Sequence, residues 1–192
     1  MKLTGLFFGS FNPIHVGHLI IGQHVLDNAD LDELWFVVSP HNPLKKKSSL
    51  APDYDRLHLV QIATDSNPKM RASQIEFSLP QPSYTIDTLA YLEEKYSNRR
   101  FVLIMGGDNL VTLPKWKNYE LLLEKYTILV YKRPHSSKTN LENHPNVTIL
   151  SDTPSLDISS SLIRSKIKKG QSIQYLVLPV VLEAIEKSRM YK

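Results

Sequence analysis

The sequence contains no cysteine. That absence excludes disulfides, thiolate zinc sites, iron–sulfur ligation and a cysteine nucleophile, and it fits a reducing cytosol. Long hydrophobic runs are missing as well. The longest, Tyr175–Leu182, has eight residues and includes Pro179, against about 20 for a membrane-crossing helix. The opening Met-Lys-Leu-Thr-Gly-Leu-Phe-Phe has neither a long apolar stretch nor a small-residue cleavage site, so no secretory leader is expected. Internal repeats, low-complexity tracts and an interdomain linker are also lacking. The expectation is a cytoplasmic protein with no membrane partner.

What is present has ordinary globular proportions. A chain of 192 residues suits one domain, and at that size folding buries roughly 70% of the unfolded surface. Hydrophobic residues make up 42% and charged residues 22%, which excludes disorder and collagen-like order. Lys and Arg total 23 against 19 acidic residues, a net charge of +4. A mild basic excess suits anionic partners, from nucleic acid to small phosphorylated molecules, without choosing between them.

Strand-like and helix-like segments alternate. Leu3–Phe8, Leu34–Val38, Phe101–Met105, Thr127–Tyr131 and Val147–Leu150 are short apolar runs, as expected of strands buried on both faces. A further strand is expected over Met70–Leu79, from the alternation of Ile75, Phe77 and Leu79. Helices are expected over Val16–Ala29, Asp53–Ser66, Ile86–Tyr96, Tyr119–Lys125, Leu162–Lys169 and Val180–Lys187, with Pro40–Pro52 and Arg133–Asn146 as polar loops. This alternation predicts an α/β fold: a Rossmann-like, doubly wound parallel sheet in a single domain over residues 1–192, with a C-terminal helical part from about 159. Ligands of such sheets sit beyond the carboxyl ends of the strands, so the loops after strands carry the functional information.

Two loops stand out. The first runs Gly9-Ser10-Phe11-Asn12-Pro13-Ile14-His15-Val16-Gly17-His18. His15 and His18 share the first turn of the following helix, where unpaired N–H groups and the positive end of the dipole lie. Two imidazoles and exposed amides make a site for phosphate oxygens. A His-x-x-His pair also occurs in metal sites, but no third ligand is evident, and the Walker pattern is absent. The second loop, Ile158-Ser159-Ser160-Ser161-Leu162-Ile163-Arg164, opens a helix with three hydroxyls and adds a guanidinium. Serines there are ordinary caps, yet together with Arg164 they offer a set of donors to a polyphosphate.

Taken together, these loops resemble the two signatures of the nucleotidyltransferase superfamily, with Ser161 in place of the usual Thr. The chain lacks the Lys-Met-Ser-Lys-Ser loop of the class I aminoacyl-tRNA synthetases, which share the His-x-Gly-His core. Three middle segments are similar to the nicotinate mononucleotide adenylyltransferases within that superfamily: Ser83-Tyr84-Thr85-Ile86-Asp87-Thr88-Leu89, Gly106-Gly107-Asp108-Asn109-Leu110, and Leu113-Pro114-Lys115-Trp116. So are Pro40-His41-Asn42-Pro43-Leu44-Lys45 and Lys132-Arg133-Pro134. The sequence departs from the family pattern at Phe8, where many members have Gly, at Asn12, where Asp is frequent, and at Gly107, where Ala is common.

The resemblance implies transfer of the adenylyl group of ATP to nicotinate mononucleotide, in NAD biosynthesis. It implies that His15 and His18 contact the triphosphate, with His18, His15 and Arg164 catalytic. It places ATP against Gly9, Ser10, Phe11, His15, His18, Gly106, Asp108, Ser159, Ser160, Ser161 and Arg164. The pyridine nucleotide would meet Lys45, Tyr84, Thr85, Trp116 and Arg133, with Trp116 stacked on its ring. Magnesium (Mg2+) would arrive with ATP, without a metal site on the protein. A homo-oligomer is compatible with the family. No run of interleaved basic and aromatic residues offers a stacking platform, so no nucleic acid partner is expected. Nicotinamide mononucleotide and phosphopantetheine are the alternative acceptors, and a non-catalytic nucleotide- or RNA-binding domain is the alternative of another class.

Overall fold

The computed structural model describes residues 1–40, 50–132 and 137–192. Among these residues six strands form one sheet: β1 (Lys2–Gly9), β2 (Glu33–Val38), β3 (Met70–Ser73), β4 (Arg99–Gly106), β5 (Ile128–Tyr131) and β6 (Val147–Leu150). Their order is β3-β2-β1-β4-β5-β6, and every neighbouring pair is parallel. The chain builds outward in one direction from β1 and in the other from β4. The doubly wound sheet expected from the alternating runs is therefore present, and its order reverses between β1 and β4.

Among the described residues seven helices cover the sheet: α1 (Val16–Asn28), α2 (Asp53–Thr64), α3 (Thr85–Lys95), α4 (Gly107–Thr112), α5 (Tyr119–Lys125), α6 (Ser160–Lys168) and α7 (Pro179–Ser188). They divide by face. Ile21 and Val25 of α1, Leu59 and Val60 of α2, Ile163 of α6 and Val181 of α7 pack with Phe7, Phe36 and Ile104 on one side. Leu89 of α3, Leu110 of α4 and Leu122 of α5 pack with Leu6, Trp35 and Leu103 on the other. Adjacent strand residues point to opposite faces and both faces are covered, which is why these strands read as unbroken apolar runs.

One expectation needs correction. The strand predicted over Met70–Leu79 ends at Ser73, and Ile75–Ser78 is a 3-10 turn. Gln74, at φ −101° and ψ 19°, bends the chain out of the sheet. Ile75 and Glu76 are then both buried, so burial does not follow the alternation of Ile75, Phe77 and Leu79. After β4, α4 begins at Gly107 without an intervening loop. Among the described residues no helix is long and apolar enough to cross a membrane.

Candidate active site

The carboxyl ends of β1 and β4 flank the point where strand order reverses, the usual ligand crevice of such a sheet. Gly9, Ser10 and Phe11 leave β1 there, and Gly106 and Asp108 leave β4. Glycine at position 9 is a steric requirement, since a Cβ would lie 2.8 Å from the Phe11 ring that folds back over it.

His15 is the residue before α1 and His18 closes its first turn. Their rings stack with centroids 3.7 Å apart, and Phe11 meets His18 edge-on at 5.1 Å. A Cβ at position 17 would stand 3.1 Å from Nδ1 of His15, so the glycine between the histidines makes room for the stacked ring. Nδ1 of His18 accepts from the main-chain N–H of His15 at 3.3 Å. In a neutral ring this leaves the proton on Nε2 and makes that nitrogen a donor. His15 is buried, at 3% exposure. A cavity of about 20 Å³, room for one water, opens beside both rings toward Tyr131 and Ile158.

The second loop docks on the first. Ser159 caps α6, its hydroxyl accepting from Leu162 N–H at 3.2 Å. The Ser160 hydroxyl donates to the Pro13 carbonyl at 2.8 Å. Nη1 of Arg164 donates to the Asn12 carbonyl at 2.7 Å, and its Nη2 donates to the Ser161 hydroxyl at 3.3 Å. The two segments singled out at opposite ends of the sequence thus form one unit. Val16 N–H, at the start of α1, donates to the Leu176 carbonyl at 3.0 Å, which adds the segment before α7 to the same assembly.

Arg56, which sequence reasoning missed, lies fully buried beneath this loop. Its guanidinium donates to the main-chain carbonyls of Ser10, Ser39 (2.9 Å), Pro40 (3.4 Å) and Ala51 (3.0 Å) and to the Asp53 carboxylate (2.6 Å). Five contacts match the five N–H donors of an arginine. Ala51 N–H in turn donates to Oδ1 of Asn12 at 3.1 Å. Tyr191 lies close by: burial pushes its hydroxyl pKa up, against the pull of Arg56 and Arg164.

A different group of residues gathers on the opposite face of the sheet. Tyr84 precedes α3 and Thr85 begins it. Trp116 follows the 3-10 turn Leu113–Lys115, and both aromatics pack half-buried against the core on that face. Lys117 joins the two segments, with Nζ 2.8 and 3.1 Å from the Asp87 carboxylate oxygens and 4.9 Å from the centre of the Tyr84 ring. Behind them Glu76, at 2% exposure, accepts from the Thr88 hydroxyl at 2.9 Å. Burial raises the Glu76 pKa, while the hydroxyls of Ser39, Thr88 and Ser83 pull it down.

Of the residues predicted from sequence, Lys45 and Arg133 lie outside the described residues. Asp108 is exposed in the first turn of α4. Among the described residues no group of three or more His, Asp or Glu is placed to hold a metal ion. Arg56 had as its local signal only the three-residue spacing from Asp53, and Lys117, whose partner Asp87 is 30 residues away, had none.

Comparison with known proteins bears on the family and the fold. Residues 6–166 match the cytidylyltransferase-like family. The chain is 53% identical to a Flavobacterium johnsoniae protein named probable nicotinate-nucleotide adenylyltransferase, over 100% of both chains. It is also 53% identical to a Cytophaga hutchinsonii protein of the same name, over 100% of this chain and 98% of the relative. The fold matches a Plasmodium falciparum nicotinic acid mononucleotide adenylyltransferase solved in complex with NaAD, at a TM-score of 0.82 and 22% identity, covering 100% of this chain and 98% of that one. At that identity the likeness establishes the shared fold. The full-length identities reach further, and on them this chain belongs to the nicotinate-nucleotide adenylyltransferase family.

Proposed function

We propose that the protein transfers the adenylyl group of ATP to nicotinate mononucleotide, releasing pyrophosphate and forming deamido-NAD, a step of NAD biosynthesis. The observation that carries this reading is the stacked His15–His18 pair at the start of α1, with α6 and its Arg164 docked on the same loop. It joins imidazole, guanidinium, hydroxyl and helix-start amide donors in one place, as a polyphosphate requires.

The acceptor's 5′-phosphate attacks the α-phosphorus in line. A new P–O bond forms, the bond between the α-phosphorus and the bridging oxygen breaks, and the electron pair leaves with pyrophosphate. A phosphate monoester is already nucleophilic, so no general base is required. The protein's work is positioning and stabilising charge as it builds on the phosphates. Nε2 of His18 donates to the α-phosphate, while His15 and Arg164 hold the β- and γ-phosphates. Ser10, Ser160 and Ser161 supply lesser contacts. Gly9, Phe11 and Ser159 shape the loops around the nucleotide, with Gly106 and Asp108 across the crevice. Magnesium enters as the ATP complex, bound to phosphate oxygens and water. Trp116, Tyr84 and Thr85 receive the pyridine nucleotide on the opposite face.

The test is pyrophosphate release from magnesium and ATP, with nicotinate mononucleotide, nicotinamide mononucleotide and phosphopantetheine supplied separately and the products identified by mass spectrometry. Deamido-NAD in large excess over NAD is the expected result. Absence of product with every acceptor overturns the function.

A further inference from the structure

We propose that Lys117 and Asp87 act as an opposed pair of charges that set how strongly the acceptor site prefers an anionic pyridine. Lys117 favours it and Asp87 disfavours it. The inference rests on the acceptor site proposed above and identifies residues that control its choice between a carboxylate and a neutral carboxamide.

The two charges stand where the acceptor segments meet. Asp87 lies in the first turn of α3, two residues after Thr85, and Lys117 directly follows Trp116. Their ion pair spans the gap at 2.8 Å, with the ammonium 4.9 Å from the Tyr84 ring centre. A ring placed between Trp116 and the start of α3 has both charges as neighbours. The pair is open to water, the Lys117 side chain being 44% and the Asp87 side chain 51% exposed. Exposed ion pairs contribute little to folding, so each member can be neutralised without dismantling the core. What each member changes is the local field. Wild type presents a nearly cancelled pair. Removing Lys117 leaves an uncompensated anion beside the pyridine, and removing Asp87 leaves an uncompensated cation.

That logic gives the two substitutions opposite signs, which a purely mechanical tie between the segments does not. The quantity to measure is the ratio of kcat/KM for nicotinate mononucleotide to that for nicotinamide mononucleotide. Lys117→Met should lower the ratio and Asp87→Asn should raise it, each by about two- to fivefold, as expected for a water-screened charge several ångströms from an anionic group. The double variant should return near wild type. Both shifts should shrink as salt is added, because exposed charges are screened over about 10 Å at 0.1 M. A mechanical tie would move both single variants in the same direction, leave the double variant no better, and be indifferent to salt. Any of those results, or two unchanged ratios, overturns the proposal. Calorimetric Kd values for the two mononucleotides give the same ratio without turnover. Failure of wild type to form a dinucleotide would therefore overturn the adenylyl-transfer reading while the Kd ratios still decide this one.

Discussion

The proposed phosphate half and the proposed acceptor half of the crevice are held together by different kinds of contact. On the phosphate side, side chains grip main-chain carbonyls: Ser160 holds Pro13, Arg164 holds Asn12, and buried Arg56 holds Ser10, Ser39, Pro40 and Ala51. On the acceptor side, two exposed side chains hold each other, flanked by half-buried aromatics. Main-chain carbonyls occur at every residue, so the first arrangement depends on backbone position more than on the identity of the residue gripped. The second depends wholly on side chains that a point substitution replaces. Chemistry common to every adenylyl transfer would thus reside in the half that is difficult to alter, and acceptor choice in the half that is easy to alter.

Substitutions can break this contrast at either end. The largest effect is expected at the reacting phosphate. His18→Ala should lower kcat by roughly two to three powers of ten, by analogy with loss of one oxyanion donor. Steady-state turnover of the folded variant checks it, and near-normal kcat would remove His18 from the mechanism. Next comes the support of the same half. Arg56→Ala leaves four partly to fully buried main-chain carbonyls without their donor, at about 1–3 kcal/mol for each that stays unsatisfied, and should cost about 3–5 kcal/mol of stability by urea denaturation. A loss within the range of surface substitutions would mean that the loops hold themselves.

The acceptor half should respond in KM. Trp116→Ala should raise KM for the pyridine nucleotide roughly tenfold or more, the scale of one aromatic–base stack, with KM for ATP little changed. Equal changes in both constants would indicate lost packing. The smallest effect concerns Glu76. Its folded-state pKa is raised above the ordinary 4.5, so the folded state favours the protonated form. That stabilisation is full below the unfolded pKa and is lost as pH rises through the folded one. Relative to Glu76→Gln, which does not titrate, wild type should therefore gain stability as pH falls from neutral toward 4.5. Parallel denaturation profiles would place the carboxyl in an environment much like water.

How far the sequence carries depends on how local each feature is. Leu34–Val38 and Phe101–Met105 read as buried strands because both of their faces are covered. The His15–His18 pair was legible because three residues make one helical turn, and Ser159–Arg164 likewise. The bond from Arg164 to Asn12 spans 152 residues, and no local pattern announces it. Arg56 reads as a polar position on a helix, and only the fold delivers carbonyls from residues 10, 39 and 40 to it. Glu76 misled more actively. Apolar residues on either side of it made a false β alternation, whereas the carboxyl is buried on the Thr88 hydroxyl within a 3-10 turn.

The docking of α6 on the histidine loop also orders events in time. A ribosome makes the chain from its N-terminus at roughly 5–20 residues per second, so Ser160 and Arg164 are made about 7–30 s after Asn12 and Pro13. By the end of that interval the growing polypeptide carries both histidines and all six described strands, but not the hydroxyl and guanidinium that pin the loop. A messenger cut short before codon 160 would yield a product with the histidines in place and their clamp missing. Competence to capture ATP at the proposed site is thus acquired late in synthesis, and half-made copies would not compete for the cell's nucleotide.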